Sequence, residues 1–284
     1  MARTPFVTRF APSPTGRLHR GHAFSALTAF DAARRREGRF LLRIEDIDTD
    51  RCRAEFDAAI RDDLAWLGLA WEEPVRRQSE RMAAYGAALA TLRTRALLYR
   101  CFRTRKSRLE GIARAPHDTP APVTAGPLPA REEERLLAEG RPFAWRLSLS
   151  AAEQALGGFA DLGFREEGTG PGGEHGAIAA TPDEAGDVIL ARKGLGVSYH
   201  LAVVVDDADQ GVTDVIRGCD LFGATHVQRL LQALLDLPTP IYRHHPLLLR
   251  SDAKRYAKRD TTETLADLRA QGVSPEELRA ALGF

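Results

Sequence analysis

Apolar positions follow two different periods along the first seventy residues, and their order predicts a parallel sheet. The runs FVTRF (6–10) and RFLLRIED (39–46) are short and mostly apolar, which is typical of buried strands. The segments GHAFSALTAFDAARRREG (21–38) and RAEFDAAIRDDLAWLGL (53–69) carry apolar residues at helical spacing, and Gly38 is a plausible stop for the first of them. Strand, helix, strand and helix at this spacing favour an α/β fold built on a Rossmann-type parallel sheet.

The pattern changes at about Arg100 and predicts an inserted α+β subdomain. A Pro/Ala-rich stretch (115–130) and a Gly-rich stretch (166–186) enclose a predicted helix, REEERLLAEG (131–140), and a predicted strand, FAWRLSL (143–149). The boundaries that follow are 1–99 for the first half of the Rossmann domain, 100–186 for the insertion, 187–249 for the second half and 250–284 for a loop with a short helical tail.

The last third of the chain predicts a return to the sheet. YHLAVVVDD (199–207) is expected to be a buried strand, ATHVQRLLQALLDL (224–237) a helix, and IYRHHPLLL (241–249) another strand. The residues from 261 onward predict two short helices, with Thr261 or Thr262 and Ser274 as their N-caps.

Composition narrows the function classes. Forty basic and 39 acidic residues give a net charge of +1, so a nucleic-acid partner would have to be held by local patches, of which RTRKSRLEGIAR (103–114) is a candidate. The three cysteines are widely spaced and form neither a disulfide framework nor a zinc finger. Because no apolar run approaches the length of a membrane span and no signal peptide precedes the first strand, we expect a cytoplasmic protein without a membrane partner.

The stretch RFAPSPTGRLHRGH (9–22) is the strongest candidate for chemistry. It connects a predicted strand to a predicted helix, at the edge of a parallel sheet where ligands bind. Prolines and glycines let a ligand approach the backbone, and a helix N-terminus favours bound phosphate. His19 and His22 can present their imidazoles on the same side of the first helical turn. The spacing alone is also compatible with a simple turn, but no third metal ligand lies nearby and the Gly-Lys-Ser/Thr ending of a phosphate loop is absent.

This stretch resembles the first signature of class I glutamyl-tRNA synthetases, in which HRGH occupies the His-Ile-Gly-His position. The resemblance implies that His19, Gly21 and His22 contact ATP and stabilise the charge that develops at the α-phosphate. It also implies that the residues before them line a glutamate pocket, with Arg9 on the side-chain carboxylate. These glutamate-pocket residues are Arg9, Phe10, Ala11, Pro12 and Ser13.

Two further blocks resemble the same family. LLRIEDIDTDR (41–51) supplies Glu45 at the end of a predicted strand, and the resemblance assigns it to the substrate ammonium group. SYHLAVVVDDADQGVTDVIRGCDL (198–221) supplies Tyr199 beside the substrate and Arg217 as a second cation for the carboxylate. Without the resemblance, the first block is a solvated acidic loop, and the paired aspartates of the second could suggest a metal.

The loop RYAKR (255–259) resembles the Lys-Met-Ser-Lys-Ser loop of the family only in part. Lys258 falls on the second lysine, which contacts the triphosphate, whereas Arg255 replaces the first lysine. Arginine keeps the positive charge, so we expect activation to survive with altered loop kinetics. Taken alone, the segment is equally compatible with a basic surface loop.

Relatives in one branch of this family carry a zinc site that begins Cys-x-Cys. Here Cys101 matches the first ligand, but Arg103 stands at the second, and the next tyrosine and cysteine are distant. Structural zinc requires four ligands. We therefore predict no zinc, with Cys101 as a packing residue.

The chain stops about 25 residues after the RYAKR loop, where a complete glutamyl-tRNA synthetase would continue into an anticodon-binding domain. This plan resembles a branch that activates glutamate with Mg²⁺-ATP without tRNA, and then transfers it to queuosine at the wobble position of tRNA(Asp). We expect a monomer with that activity. The alternatives are a truncated glutamyl- or glutaminyl-tRNA synthetase that charges a tRNA 3′ end, a non-catalytic binding paralogue and, more remotely, an enzyme that loads a carrier protein.

Overall fold

The computed structural model describes residues 5–103, 126–192, 196–248 and 263–284. The strands among these residues are β1 (Val7–Phe10), β2 (Arg39–Ile44), β3 (Glu72–Arg77), β4 (Leu98–Cys101), β5 (Ala144–Leu147), β6 (Gly163–Glu166), β7 (Gly176–Ala179), β8 (Ile189–Arg192), β9 (Gly196–Val197), β10 (Asp214–Gly218) and β11 (Ile241–His245). The helices are α1 (Arg20–Arg35), α2 (Ala54–Trp66), α3 (Met82–Thr94), α4 (Ala130–Ala138), α5 (Leu149–Leu156), α6 (Tyr199–Asp209), α7 (Phe222–Leu234), α8 (Leu265–Ala270) and α9 (Pro275–Ala281).

Parallel strands form the centre of the molecule, as the sequence predicts. β1, β2 and β3 pair in parallel in that order, and β10 pairs in parallel with β11. The two sheets adjoin where the backbone N–H of Thr213 donates to the Val7 carbonyl at 2.9 Å. Gly38 allows the turn after α1 to pass over β1, because a Cβ there would lie 2.4 Å from the Phe6 carbonyl oxygen. The Rossmann-type prediction is therefore confirmed.

The segment YHLAVVVDD, predicted as a strand, is the helix α6, so that prediction was wrong. The Ser198 hydroxyl caps the helix by accepting the Leu201 N–H at 3.3 Å. Four consecutive residues, 201–204, are buried on all sides of the helix, which removes the polar face that would have revealed a helical period. A short apolar run of this kind does not distinguish a buried helix from a buried strand.

The middle of the chain forms an antiparallel sheet and also extends the parallel one. The antiparallel sheet has the order β4-β5-β8-β9. In contrast, β6 pairs in parallel with β11, and β7 pairs antiparallel with β6. The predicted boundaries at 99/100 and 186/187 stay predictions, but β6 joins the middle segment directly to the sheet that carries β10 and β11.

The C-terminal helices pack against the first half of the sheet. Leu265 and Leu278 are fully buried in the same apolar cluster as Leu18 and Leu64. The N-cap of α8 is Thr264 rather than Thr261 or Thr262, because Asp267 at the third helical position completes a capping box with it. Ser274 caps α9 as predicted. Among the described residues, no helix is long and apolar enough to cross a bilayer.

Candidate active site

The two predicted histidines form the N-terminus of α1. His19 is the N-cap: its Nδ1 accepts the Gly21 N–H at 3.1 Å, while His22 Nδ1 accepts the His19 N–H at 3.2 Å. The two rings are 3.8 Å apart between centroids. No acidic residue lies in the first turn, so the helix dipole favours an anion there. The structure thus places both imidazoles at a helix end that suits phosphate.

The C-terminal segment holds this histidine loop in place. The Leu265 N–H donates to the Leu18 carbonyl at 2.9 Å, and Thr264 forms an antiparallel bridge with His19. Arg20 reaches Glu263 at 3.3 Å. Residues far apart in the sequence therefore fix the backbone from which the histidines project.

Arg9 is buried on the face of β1 opposite to Phe10 and meets a carboxylate of the protein. Its Nε donates to Asp207 Oδ1 at 2.9 Å, and its NH2 group lies 3.4 Å from Oδ2. Arg43, which is fully buried, donates to the same Oδ1 at 2.6 Å. Burial alone would raise the pKa of Asp207, but attraction to Arg9 and Arg43 outweighs burial and lowers that pKa to about 2. Asp207 is therefore ionised and anchors both arginines.

Glu45 lies directly after β2, as the sequence predicts. Its backbone N–H donates to the Pro12 carbonyl at 3.0 Å, which ties it to the loop before α1. Arg43 NH2 donates to Glu45 Oε1 at 3.1 Å. Burial raises the pKa of Glu45 despite the attraction of Arg43 and Arg9. A cation beside this carboxylate would relieve the cost of burying its charge.

Arg217 differs from Arg9 and Arg43 because its described partners are all neutral groups. Its NH2 donates to Thr225 Oγ1 at 2.7 Å and its Nε to His244 Nε2 at 3.1 Å, and its NH1 lies 3.5 Å from the Tyr199 hydroxyl. Burial, assisted by the nearby Arg217 charge, lowers the pKa of His244 to about 4, so that ring is neutral at pH 7. No carboxylate of the described residues lies within ion-pair distance of the Arg217 guanidinium.

Three of the other predicted glutamate-pocket residues lie close enough to Tyr199 for their charges to act on it. Burial raises the pKa of its hydroxyl, and the charges of Arg217, Glu45 and Arg9 all act on that hydroxyl. Two cations and one anion of the predicted set therefore lie in one region of the structure, around the Tyr199 hydroxyl.

The other residues predicted for the site lie in the apolar core, in the loop after β1 or outside the described residues. Phe10 is buried in the apolar core, on the opposite face of β1 from Arg9. Ala11 and Ser13 are half-buried and Pro12 is buried in the loop that follows. Arg255 and Lys258 lie outside the described residues, as does most of the basic patch at 103–114.

The described residues offer no obvious metal centre. Cys101 is buried in β4, and no group of three or more His, Cys, Asp or Glu side chains in the described ranges could hold a metal ion. The paired aspartates have other partners: Asp206 accepts from the Tyr85 hydroxyl at 2.7 Å and from Gln78 at 3.0 Å, and Asp207 binds the arginines. Absence of zinc stays a prediction, which metal analysis of the purified protein would check.

Sequence reasoning missed the residues that support the pocket from behind. They are Arg43, Asp207, Glu166, Thr225 and His244. Arg43 could have been found, because a charged residue inside the apolar run RFLLRI must have a buried partner. The partners of Arg217 come from a helix and from another strand, and no local pattern marks them.

Comparison with known proteins defines the class. Residues 5–150 and 172–284 match the catalytic domain of class I tRNA synthetases (E and Q), and the chain belongs to this family. It is therefore a ligase of the aminoacyl-tRNA synthetase class, and the family implies the use of ATP. The resemblance inferred from the histidine motif is confirmed.

Individual relatives have names that are more specific than the description of the family. A glutamyl-Q tRNA(Asp) synthetase of Rhodobacter capsulatus is 47% identical over 98% of this chain and 100% of its own length. Glutamate–tRNA ligase 1 of Ruegeria pomeroyi is 38% identical, and the match covers 96% of this chain but 59% of that protein. The crystal structure of a glutamate tRNA ligase from Elizabethkingia meningosepticum in complex with its amino acid superposes with a TM-score of 0.71 at 26% identity, over 90% of this chain and 52% of that one. The chain thus spans about half of that solved structure.

Proposed function

We propose that this protein activates glutamate with ATP and transfers the glutamyl group to queuosine in the anticodon wobble position of tRNA(Asp). The observation that carries the first half is Arg217, a buried guanidinium whose described partners are neutral, in one pocket with Glu45 and Arg9. A buried unpaired charge is costly, and a substrate carboxylate would offset that cost.

In the activation step, an oxygen of the glutamate α-carboxylate attacks the α-phosphorus of ATP. The bond to the β-phosphate oxygen breaks and pyrophosphate leaves. Arg217 and Arg9 hold the side-chain carboxylate, while Glu45 takes the ammonium group and Tyr199 lines the pocket. His19 and His22, at the N-terminus of α1, stabilise the charge that develops on the phosphate.

Several further elements of the proposal come from the family. Lys258 and Arg255 would contact the triphosphate, with Gly21 at the start of α1 allowing a close approach. Mg²⁺ arrives with the ATP phosphates as part of the substrate, because its preferred ligands are oxygens. We propose that the working unit is a cytoplasmic monomer.

In the transfer step, a hydroxyl of the queuosine cyclopentene ring attacks the acyl carbon, loses its proton and displaces AMP. The support for this acceptor is that several relatives similar over nearly the whole chain are named glutamyl-Q tRNA(Asp) synthetase, at 40–47% identity. Contacts to RNA phosphates by arginine would make the transfer weaken with salt.

Glutamate-dependent ATP–pyrophosphate exchange tests the activation step. The wild type is expected to exchange without tRNA, and Arg217→Gln is expected to raise KM for glutamate by about tenfold or more, since it removes a charged hydrogen-bond donor. Arg243→Gln is the matched control: this arginine lies on the neighbouring strand and pairs with Asp214 at 3.0 Å. Exchange that is absent from the wild type would favour a non-catalytic paralogue and overturn the proposal.

Labelled glutamate tests the acceptor. With ATP and tRNA(Asp), label is expected on queuosine-containing tRNA and not on tRNA that lacks queuosine. The relatives named glutamate–tRNA ligase, at 35–38% identity, favour a second candidate function, the charging of a tRNA 3′ end. Label on tRNA(Glu) at the 3′ end, independent of queuosine, would support that second function and refute the first.

A further inference from the structure

The guanidinium of Arg217 is held along one edge by two acceptors. His244 Nε2 receives the Nε–H and Thr225 Oγ1 receives an NH2 hydrogen, and these two acceptor atoms are themselves 3.4 Å apart. Nε and NH2 form one side of the planar group. The opposite end, which carries NH1, points to the Tyr199 hydroxyl and the pocket. The orientation of the Arg217 side chain thus depends on His244 and Thr225, which hold the guanidinium on the side away from Tyr199.

Geometry fixes the protonation of the His244 ring. Arg217 Nε can only donate, so His244 Nε2 must accept and must carry no proton. A neutral ring then carries its proton on Nδ1.

Glu166 accepts a hydrogen bond from this Nδ1–H group. Its Oε2 lies 2.5 Å from His244 Nδ1, and its Oε1 accepts the backbone N–H groups of His244 at 2.9 Å and Gly168 at 2.7 Å. Glu166 is completely buried. Burial acts to raise the pKa of Glu166, but these hydrogen bonds outweigh it and lower that pKa, so the carboxylate is an ionised acceptor at neutral pH.

The segment that carries Glu166 is built tightly against His244. After β6, the Thr169 N–H donates to the His244 carbonyl at 2.9 Å. A Cβ at Gly168 would lie 2.1 Å from the same carbonyl oxygen. Only glycine permits this approach, so the loop and the β11 backbone are fixed relative to one another.

We infer that Glu166, a residue of the middle segment, is a positioning residue of the glutamate pocket: it fixes the His244 tautomer, and His244 fixes the orientation of Arg217. This inference rests on the proposed function for the identity of the ligand. Through these contacts, β6, a strand of the segment between the two halves of the Rossmann domain, controls the affinity for glutamate without touching the substrate.

The substitution Glu166→Gln separates this role from simple filling of space. The Oε1 of glutamine can still accept the two backbone N–H groups, which leaves its NH2 group facing His244 Nδ1. That nitrogen must then accept, so the ring proton moves to Nε2 and opposes the Nε–H of Arg217. Two donors face each other, and Arg217 must turn away.

The experiment compares Glu166→Gln with wild type in glutamate-dependent exchange. KM for glutamate is expected to rise by about tenfold or more, whereas KM for ATP changes by less than about twofold, because one hydrogen bond to a charged group is lost only on the glutamate side. Nitrogen NMR of isotope-labelled histidine, with the signal assigned from its loss in His244→Gln, is expected to show Nδ1–H in the wild type and Nε2–H in Glu166→Gln.

Glu167→Gln is the matched control, because the next residue pairs with Arg165 at 2.9 Å and with Arg243 on the outer face. It is expected to keep the wild-type KM and tautomer. An Nε2–H ring in the wild type, or an unchanged KM for glutamate in folded Glu166→Gln, would overturn the inference. If the wild type has no exchange activity, the proposed function fails, while the NMR result still decides the tautomer. If Glu166→Gln does not fold, the tautomer of His244 in the wild type tests the inference: Nδ1–H supports it and Nε2–H overturns it.

Discussion

Three buried arginines surround the candidate pocket, and they differ in whether a carboxylate pairs with their positive charge. Arg9 and Arg43 share Asp207, and Arg43 also binds Glu45. Arg217 is surrounded by neutral acceptors. Asp206 lies 4.0 Å from Arg43 Nε and Glu166 lies behind His244, so an anionic substrate group would complement the local surroundings of Arg217 and not a net charge of the whole pocket. Charge complementarity, rather than shape alone, is therefore the basis on which the pocket can distinguish glutamate from glutamine.

Asp207→Asn is expected to destabilise the protein and weaken glutamate binding. Removing Asp207 takes away the carboxylate partner of buried Arg9 and the closest one of buried Arg43, and breaking a buried ion pair costs about 3–5 kcal/mol. Urea denaturation would measure the free energy of unfolding, and exchange kinetics would measure KM for glutamate. Asp209→Asn is the control, because Asp209 is half exposed and its pairs with Arg76 and Arg81 are at the surface, where a pair contributes about 0–1 kcal/mol.

The stability difference between wild type and Asp207→Asn is expected to depend on pH. The pKa of Asp207 is lowered to about 2 in the folded protein from its ordinary value of 3.8. The stabilisation is therefore fully present above about pH 4 and is lost as the pH falls through the folded pKa near 2. Urea denaturation at several acidic pH values should show the difference narrowing over this range. A difference that stays constant would contradict the assignment of Asp207 as the ionised anchor.

Helix α1 has two histidines at its N-terminus, and this one pair of side chains has two roles. His19 and His22 form a reciprocal capping box, which stabilises the helix, and the same rings lie where phosphate is expected. A loss of activity after mutation of either histidine could therefore arise from the helix or from the chemistry. Substitutions that cap the helix without a ring separate the two.

His19→Asn is expected to keep the helix and lose catalysis. Asparagine is a good N-cap, so the stability should stay within about 0.5 kcal/mol of wild type, whereas His19→Ala should cost about 1 kcal/mol. Both variants should lose about 10²–10³-fold in the rate of exchange, since a preorganised group at the phosphate is gone. Thermal unfolding and exchange rates measure the two effects. An active His19→Asn would show that His19 is only a cap.

The sequence predicted some elements well and others poorly, for identifiable physical reasons. The loop before α1 and the end of β2 were found because turn residues, helix signals and a strand-end carboxylate are local features. The helix α6 was predicted as a strand because residues 201–204 are buried on every side. The partners Glu166 and His244 are 78 residues apart, so their contact depends on the tertiary fold and leaves no local pattern.

For the whole molecule, the neutral surroundings of Arg217 link substrate binding to stability. Glutamate that binds only the folded protein and pairs with Arg217 should raise the free energy of unfolding, by about 2.7 kcal/mol at a concentration about 100 times Kd. Thermal unfolding with glutamate, and without ATP, should therefore show a higher Tm. Glutamine at the same concentration is the control and should raise Tm much less, because it leaves the Arg217 charge unmet. Equal shifts from both amino acids would contradict the role of Arg217.

The contact between Leu265 and Leu18 also sets an order of events during synthesis. The histidine loop is translated well before the backbone group that holds it, because Leu265 follows Leu18 by 247 residues. At about 5–20 residues per second, the two are separated by tens of seconds. A nascent chain therefore has its histidine loop without this support until α8 has been made, and we expect the N-terminus of α1 to reach its final geometry only then.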